Sequence, residues 1–333
     1  MELKLPTVHD VAKEAKVSIA TVSHVLNGKK GVSERTRELV LDTVKRLGYS
    51  PNEAARSLKA GSSKLIGLVV PDQNPFFTEV LKGMQEECQK YDCQVVVANS
   101  EENEAKQKEL LDLLLAHRVN GVIVAPVNTK LSSMDFFNRI PVILLDREIS
   151  NLDIPSVRTD NIQGSRLATS HLIQHGHRHI GIILASPGIS TTRQRFFGYI
   201  KSLEENGIEI DERLIVYGGS YAGTQSQING GYECVHQLMS LTPRPTAIIA
   251  SNYLLTVGAL KALKELSIKI PDECAFIGFD DQPWQEILTP ELTVISQPTF
   301  EIGKSAVQLL FSQRKEKTIT LPLELVIRKS CGC

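Results

Sequence analysis

No apolar run in this chain approaches the ~20 residues that a membrane-spanning helix requires; the longest, such as 65–70 and 247–250, fall far short. A membrane partner is therefore not expected. Cysteine is sparse. Six of 333 residues, Cys88, Cys93, Cys234, Cys274, Cys331 and Cys333, make no disulfide framework, and none has the C-x-x-C spacing of a zinc site. They read as free thiols, with Cys331-Gly-Cys333 as a frayed end. Met1 to Asp10 is polar and lacks the apolar centre of a signal peptide, which leads us to expect a cytoplasmic protein. The loops that hold cofactors are missing too: there is no G-x-G-x-x-G, no G-x-x-x-x-G-K and no G-x-S-x-G, and Gly218-Gly219 lacks the lysine of a phosphate loop. No cofactor and no enzymatic activity are expected. Four of the eight histidines cluster at His171, His175, His177 and His179. The first two are one helical turn apart, but no acidic H-E-x-x-H pattern accompanies them, so the cluster reads as helix-end capping and surface rather than as a metal site.

What remains is a soluble, globular composition, 42% hydrophobic and 23% charged, long enough for two or three domains. The net charge of −1 hides an asymmetry. Residues 1–61 carry 11 Lys and Arg against 7 Asp and Glu, whereas the remainder carries 26 against 31. The basic end is the candidate nucleic-acid module.

That end reads as three short helices. Thr7 to Asp10 forms a capping box, Ser18 caps a second helix stopped by Asn27-Gly28, and Ser33 caps a third in which Leu39, Val40, Val44 and Leu47 recur at helical spacing up to Gly48. Val11, Ala12, Ala15, Val17, Val22 and Leu26 can form an internal face, leaving Ile19, Ala20, Thr21, Ser23 and His24 outside. This is the pattern of a helix-turn-helix. Small outward residues let the second helix approach base edges, where Ile19 or Ala20 can touch a thymine methyl and His24 can donate to guanine. Thr7, Ser18, Asn27 and Tyr49 are candidates for phosphate contacts.

Beyond Lys64 the texture changes to short β-branched runs at 65–70, 94–98, 121–125, 142–145, 180–184, 247–250 and 275–279, alternating with helical stretches of ten to sixteen residues. Such alternation predicts parallel sheets built from βαβ units, with ligands at the C-terminal ends of the strands.

The run Val8-His-Asp-Val-Ala-Lys-Glu-Ala-Lys-Val-Ser-Ile-Ala-Thr-Val-Ser-His-Val-Leu-Asn27 and the later Gly48-Tyr-Ser-Pro-Asn-Glu-Ala-Ala-Arg-Ser-Leu58 resemble the two signature stretches of the lactose-repressor family of bacterial regulators, and the resemblance extends to Arg328. His24 and Ser57 make the chain similar to the ribose and purine repressors of that family. The resemblance implies an all-α helix-turn-helix headpiece (1–50), a hinge helix and linker (51–61) and an α/β core of two doubly wound parallel-sheet subdomains like a periplasmic binding protein (62–160 with 296–320, and 161–295 with 321–333). It further implies a homodimer that reads near-palindromic double-stranded operator DNA of about 16–20 bp. In such a hinge Asn52, Ala55, Arg56, Ser57, Leu58 and Lys59 meet DNA, Leu58 as a wedge in the minor groove.

For the cleft, Asp72, Asn74, Phe76 and Phe77 follow the first strand, and rings beside polar groups suit a sugar or a purine. The resemblance adds Phe77 as the stacking ring, Arg195, Asn252 and Asp280 as ligand contacts, and Asp146, Asp160 and Tyr221 as further candidates. Arg193 should point elsewhere; Tyr253 departs from the family's usual aspartate, and Trp284 can lie at the cleft mouth or simply pack. A pentose such as ribose is the expected effector. A purine, or a phosphoprotein corepressor as in the catabolite control proteins, are the competing family precedents, and Phe300 stands where those control proteins often have tyrosine. A sugar-binding transport protein would share the core but have no use for residues 1–61.

Overall fold

The structure is a computed structural model that describes residues 6–50, 63–127, 136, 139–149, 152–219, 223–312 and 317–333. The expected hinge contacts Asn52, Ala55, Arg56, Ser57, Leu58 and Lys59, and the cleft candidate Tyr221, lie outside the described residues. The chain divides into two compact units, 1–63 and 64–333.

In the first unit, α1 (Val8–Glu14), α2 (Ile19–Leu26) and α3 (Glu34–Leu47) begin where the sequence supplies caps. The Thr7 N–H donates to the Asp10 carboxylate at 2.8 Å while the Asp10 N–H donates back to the Thr7 hydroxyl at 3.4 Å. The hydroxyls of Ser18 and Ser33 accept from the N–H groups of Thr21 and Thr36. A cap contributes about 1 kcal/mol, a large share for helices too short to persist alone. Gly48 closes α3 at φ 63°, the left-handed conformation that glycine adopts without strain. Val11, Ala12, Ala15, Val22, Val25 and Val40 are buried together, with Val17, Leu26, Val44, Leu47 and Tyr49 packed around them. Leu39 departs from expectation and is 49% exposed, because it sits about 100° around the helix from Val40.

The second unit holds β1 (Leu65–Val70), β2 (Gln94–Asn99), β3 (Gly121–Val124), β4 (Val142–Leu145), β5 (Ser156–Thr159), β6 (Ile180–Leu184), β7 (Ile215–Tyr217), β8 (Ala247–Ala250), β9 (Ala275–Phe279), β10 (Thr293–Ser296), β11 (Thr318–Leu321) and β12 (Glu324–Val326). They form two sheets of matching order, β11-β5-β4-β3-β1-β2 and β12-β10-β9-β8-β6-β7. Every pairing is parallel except β10 with β12, the one departure from the expected parallel arrangement. In β3, β4, β6, β8 and β9 every residue is buried, as parallel strands covered on both faces must be.

The covering helices are α4 (Pro75–Lys90), α5 (Glu104–Ala116), α6 (Asn161–Gln174), α7 (Ser190–Glu205), α8 (Gly223–Met239), α9 (Tyr253–Glu265) and α10 (Thr299–Phe311). Ile66, Leu68 and Ile143 face α4 and α10, while Val69, Val122 and Leu144 face Leu111 and Leu114 of α5. In the second sheet Ile248 and Phe276 face α8 and α9, and Ile182 and Ile249 face α6 and α7. Two glycines let α4 and α10 touch backbone to backbone: a Cβ on Gly83 would lie 2.0 Å from the Phe300 carbonyl oxygen, and one on Gly303 would lie 2.0 Å from that of Val80. The chain passes between the sheets after β5, after β10 and after β11. In each sheet the second strand in sequence lies outside the first and the third inside it, so a crevice opens at the strand C-termini where the winding reverses.

Candidate functional site

On α2, Ile19, Ala20 and His24 are exposed, while Thr21 and Ser23 are half-buried. The flanking polar groups are held by local bonds. Ser18 and Thr21 hydroxyls lie 2.9 Å apart, and the Asn27 side-chain amide donates to the Ser23 carbonyl at 2.7 Å. These bonds fix the direction of the helix ends without adding bulk to its outer face. Thr7 lies in the α1 cap, and Tyr49 packs half-buried against the helices.

In the second unit, one cavity, open to solvent, gathers most of the remaining candidates: Asp72, Asn74, Phe76, Phe77, Asp146, Arg195, Asn252 and Asp280 all line it. The strand ends supply the carboxylates. Asp72 follows β1, Asp146 follows β4 and Asp280 follows β9. Asp146 and Asp280 both take positive φ, 62° and 68°, a conformation that aspartate tolerates better than most side chains and that concentrates at functional sites.

The polar groups are held in a network. Asp72 accepts from the Asn74 N–H at 3.0 Å, and Asn74 in turn caps α4 by accepting from the Phe76 N–H at 3.0 Å. Gln227, on α8, spans the crevice: its amide donates to Asp72 at 3.3 Å and its oxygen accepts from Asn252 at 2.9 Å. Arg195 donates from Nε to Asn161 at 2.7 Å and from a terminal nitrogen to the Ser251 carbonyl, and its guanidinium lies 4.4 Å from the Phe279 ring centroid. Asp280 accepts from Gln297 at 2.6 Å and from the Tyr253 N–H at 3.3 Å. Arg147 makes a two-pronged pair with Glu102, at 2.7 and 3.0 Å.

Burial sets the charges against one another. It pushes Asp146 up to about 6, against the pull of Arg195 and Arg147 and with the help of Asp280 and Asp72. Burial also raises Asp72, opposed by Arg147. For Arg195 burial outweighs the neighbouring Asp280 and Asp146 and lowers its pKa, whereas Glu102, Asp72 and Asp146 hold Arg147 above its ordinary value despite burial. A ligand whose hydroxyl or N–H groups donate to the carboxylates, and whose oxygens accept from guanidinium and amide, would complete this set.

Asp160 does not join the cavity; it caps α6, accepting from the Gln163 N–H at 3.0 Å. Trp284 also packs outside the lining, edge-on to Tyr253 with centroids 6.1 Å apart. Arg193 is exposed and turns to the Pro187 and Gly188 carbonyls, as its helix position required. Sequence reasoning missed Arg147, Thr191, Thr192, Gln227 and Gln297, which line the cavity as well. Arg147 had a signal, since it adjoins Asp146; the others sit on helices or a crossover with no local pattern to mark them.

Comparison with known proteins agrees with this architecture. Residues 7–52 match the model of bacterial regulatory proteins of the lacI family, and residues 63–327 match that of periplasmic binding proteins and the sugar binding domain of the LacI family. The chain is 35% identical to the HTH-type transcriptional repressor PurR of Mannheimia succiniciproducens, over 98% of both proteins. Among solved structures it is similar to a putative transcription regulator from Staphylococcus saprophyticus (40% identity, TM-score 0.77, 80% of this chain and 98% of that one). It is also similar to the lac repressor dimer bound to operator and the anti-inducer ONPF (27% identity, TM-score 0.84, 98% and 99%).

Proposed function

The chain belongs to the LacI family of DNA-binding transcriptional repressors, and from that premise we propose a dimeric regulator whose grip on a near-palindromic operator is set by a monosaccharide, a pentose such as ribose first, held in the cleft of the second unit. Such a protein works in the cytoplasm, where the chromosome is. Among the described residues no helix is long and apolar enough to cross a membrane.

One observation carries the choice of ligand. Three aspartates, two arginines and the Gln227–Asn252 pair converge on a single cavity, a density of fixed acceptors and donors that suits a compact ligand bearing a hydroxyl on nearly every carbon. Among the described residues the rings beside it offer no parallel slot: Phe76 and Phe77 meet edge to face at 88°, and the Arg195 guanidinium lies against Phe279. A flat purine would find no pair of parallel faces among these rings. The purine reading keeps the support of a 35% identical relative that carries the PurR name. In this proposal Ile19, Ala20, Thr21, Ser23 and His24 read bases, and Thr7, Ser18, Asn27 and Tyr49 contact phosphates.

Calorimetric titration with pentoses, hexoses and purine bases, followed by operator titration with each ligand that binds, tests the reading. A pentose that binds in the micromolar range and shifts operator affinity is expected. Binding of hypoxanthine or guanine, with no response to any sugar, would replace the sugar by a purine.

A further inference from the structure

Two stretches that read as inert in the sequence meet in space. His171 and His175 lie one turn apart at the C-terminal end of α6, their ring centroids 4.6 Å apart. The chain beyond β12 returns to this point and sets the Cys333 sulfur 3.3 Å from Nε2 of His171. One nitrogen of each histidine and the Cys333 sulfur all lie within 4.8 Å of one another. The neighbouring histidines turn elsewhere: Nδ1 of His177 lies 2.9 Å from the Thr246 hydroxyl, and Nδ1 of His179 lies 3.3 Å from the Arg244 carbonyl.

We propose that His171, His175 and Cys333 form a binding site for a borderline-soft divalent cation, zinc first, with the fourth position open to water. Two imidazoles and a thiolate are the donor set that such ions prefer over magnesium or calcium. Tetrahedral bonds of ~2.0–2.1 Å to nitrogen and ~2.3 Å to sulfur place ligand atoms roughly 3.3–3.8 Å apart. The Cys333–His171 separation already falls in that range, and the remaining slack lies at His175 and Cys333, both exposed and able to rotate inward. His171 is 8% exposed, so one ligand is held fixed while the ion enters from solvent past the other two. The thiol gives its proton to solvent as the sulfur–metal bond forms, and both imidazoles bind in the neutral form.

Cys331 has another task. It is fully buried, and its sulfur lies 3.2 Å from the Thr293 hydroxyl and 3.3 Å from the Arg328 carbonyl. The site stands at the far end of α6 from Asn161, the residue bonded to Arg195 in the cleft, about 20 Å along the helix at ~1.5 Å per residue. A cation there would clasp the chain beyond β12 to the helix layer without entering the effector pocket.

The test uses the full chain, free of any histidine tag and kept reduced, titrated with Co²⁺ as a spectroscopic probe. Saturation at one equivalent with a thiolate-to-cobalt charge-transfer band, bleached by Zn²⁺, is expected. His175→Gln and Cys333→Ser, both at exposed positions, should each weaken binding about tenfold or more, whereas His177→Gln should leave it unchanged. Absence of the thiolate band, equal affinity in Cys333→Ser, or an equal loss in His177→Gln would overturn the site.

Discussion

Arg195 is the residue on which the cleft turns, because it ties Asn161 of α6, the Ser251 carbonyl after β8 and the Phe279 ring into one wall. Replacing it with methionine keeps much of the apolar stem but removes the charged donors, each bond to such a group being worth about 1.5–3 kcal/mol. Effector affinity should fall by about a hundredfold or more, while operator binding without effector persists; calorimetry and operator titration on the same preparation check both. Asp146 answers to pH. Its raised pKa means that the protonated form is favoured in the folded protein, so the stabilisation it gives is full below about 4 and is lost as pH rises through about 6. Asp146→Asn should therefore melt alongside the parent at pH 4 and above it at pH 7, by up to about 3 kcal/mol for a two-unit shift. If the carboxylate accepts from a ligand hydroxyl, effector affinity in the parent should decline below pH 6 and become flat in the variant. A parent whose binding ignores pH from 5 to 8 would remove Asp146 from the ligand shell.

At the scale of elements, the two roles of the Ser18 side chain separate cleanly. It caps α2 and is proposed to touch phosphate. Aspartate caps as well as serine but repels phosphate, so Ser18→Asp should keep the parent's thermal midpoint and lose about tenfold or more in operator affinity. In the second unit, Gly303 allows α10 to lie on the backbone of α4, and Gly303→Val should cost at least the ~1–3 kcal/mol of an overpacked core, read as a lower denaturation midpoint. The same contrast between local and distant causes explains which elements the sequence made legible. Six of the seven strands it marked are apolar runs that lie wholly or almost wholly buried, a burial that writes itself into composition, and the seventh, β2, is as apolar in sequence although no residue of it is buried; β5, β7, β10, β11 and β12 are only three or four residues long and exist because a neighbour pairs with them. The cleft divides likewise. Asp146 and Asp280 directly follow apolar strands, and Asp72 and Asn252 come two residues after theirs; strand order points to Asp72, whereas the other three are what the family resemblance implies. Gln227 reaches Asp72 across 155 residues of chain, a partnership only the fold creates. His171 and Cys333 meet across 162 residues of chain, a neighbourhood that no local pattern marks.

For the whole molecule, charge and topology divide the work. The basic excess lies in residues 1–61 and the acidic excess in the remainder, so the headpiece is drawn to DNA while the effector unit is repelled from it. The two sheets share one winding order and are joined by three chain crossings, a geometry in which Gln227 and any ligand beside it can hold one half against the other. A ligand shifts operator affinity only through its different affinity for the two arrangements of the halves, with typical couplings of about 1–3 kcal/mol. The salt dependence of binding separates this switch from the bare attraction of a basic surface. Each phosphate neutralised contributes a slope near −0.9 in a plot of log affinity against log salt, and two headpieces on one duplex double the number of contacts that one makes. Titration from 50 to 200 mM salt should therefore give a slope on a full palindrome about twice that on a half-site. If effector acts on the spacing of the headpieces rather than on their charge, it should move the palindrome line up or down at nearly constant slope. Equal slopes on full and half sites would show a single headpiece bound, and the dimeric switch would have to be abandoned.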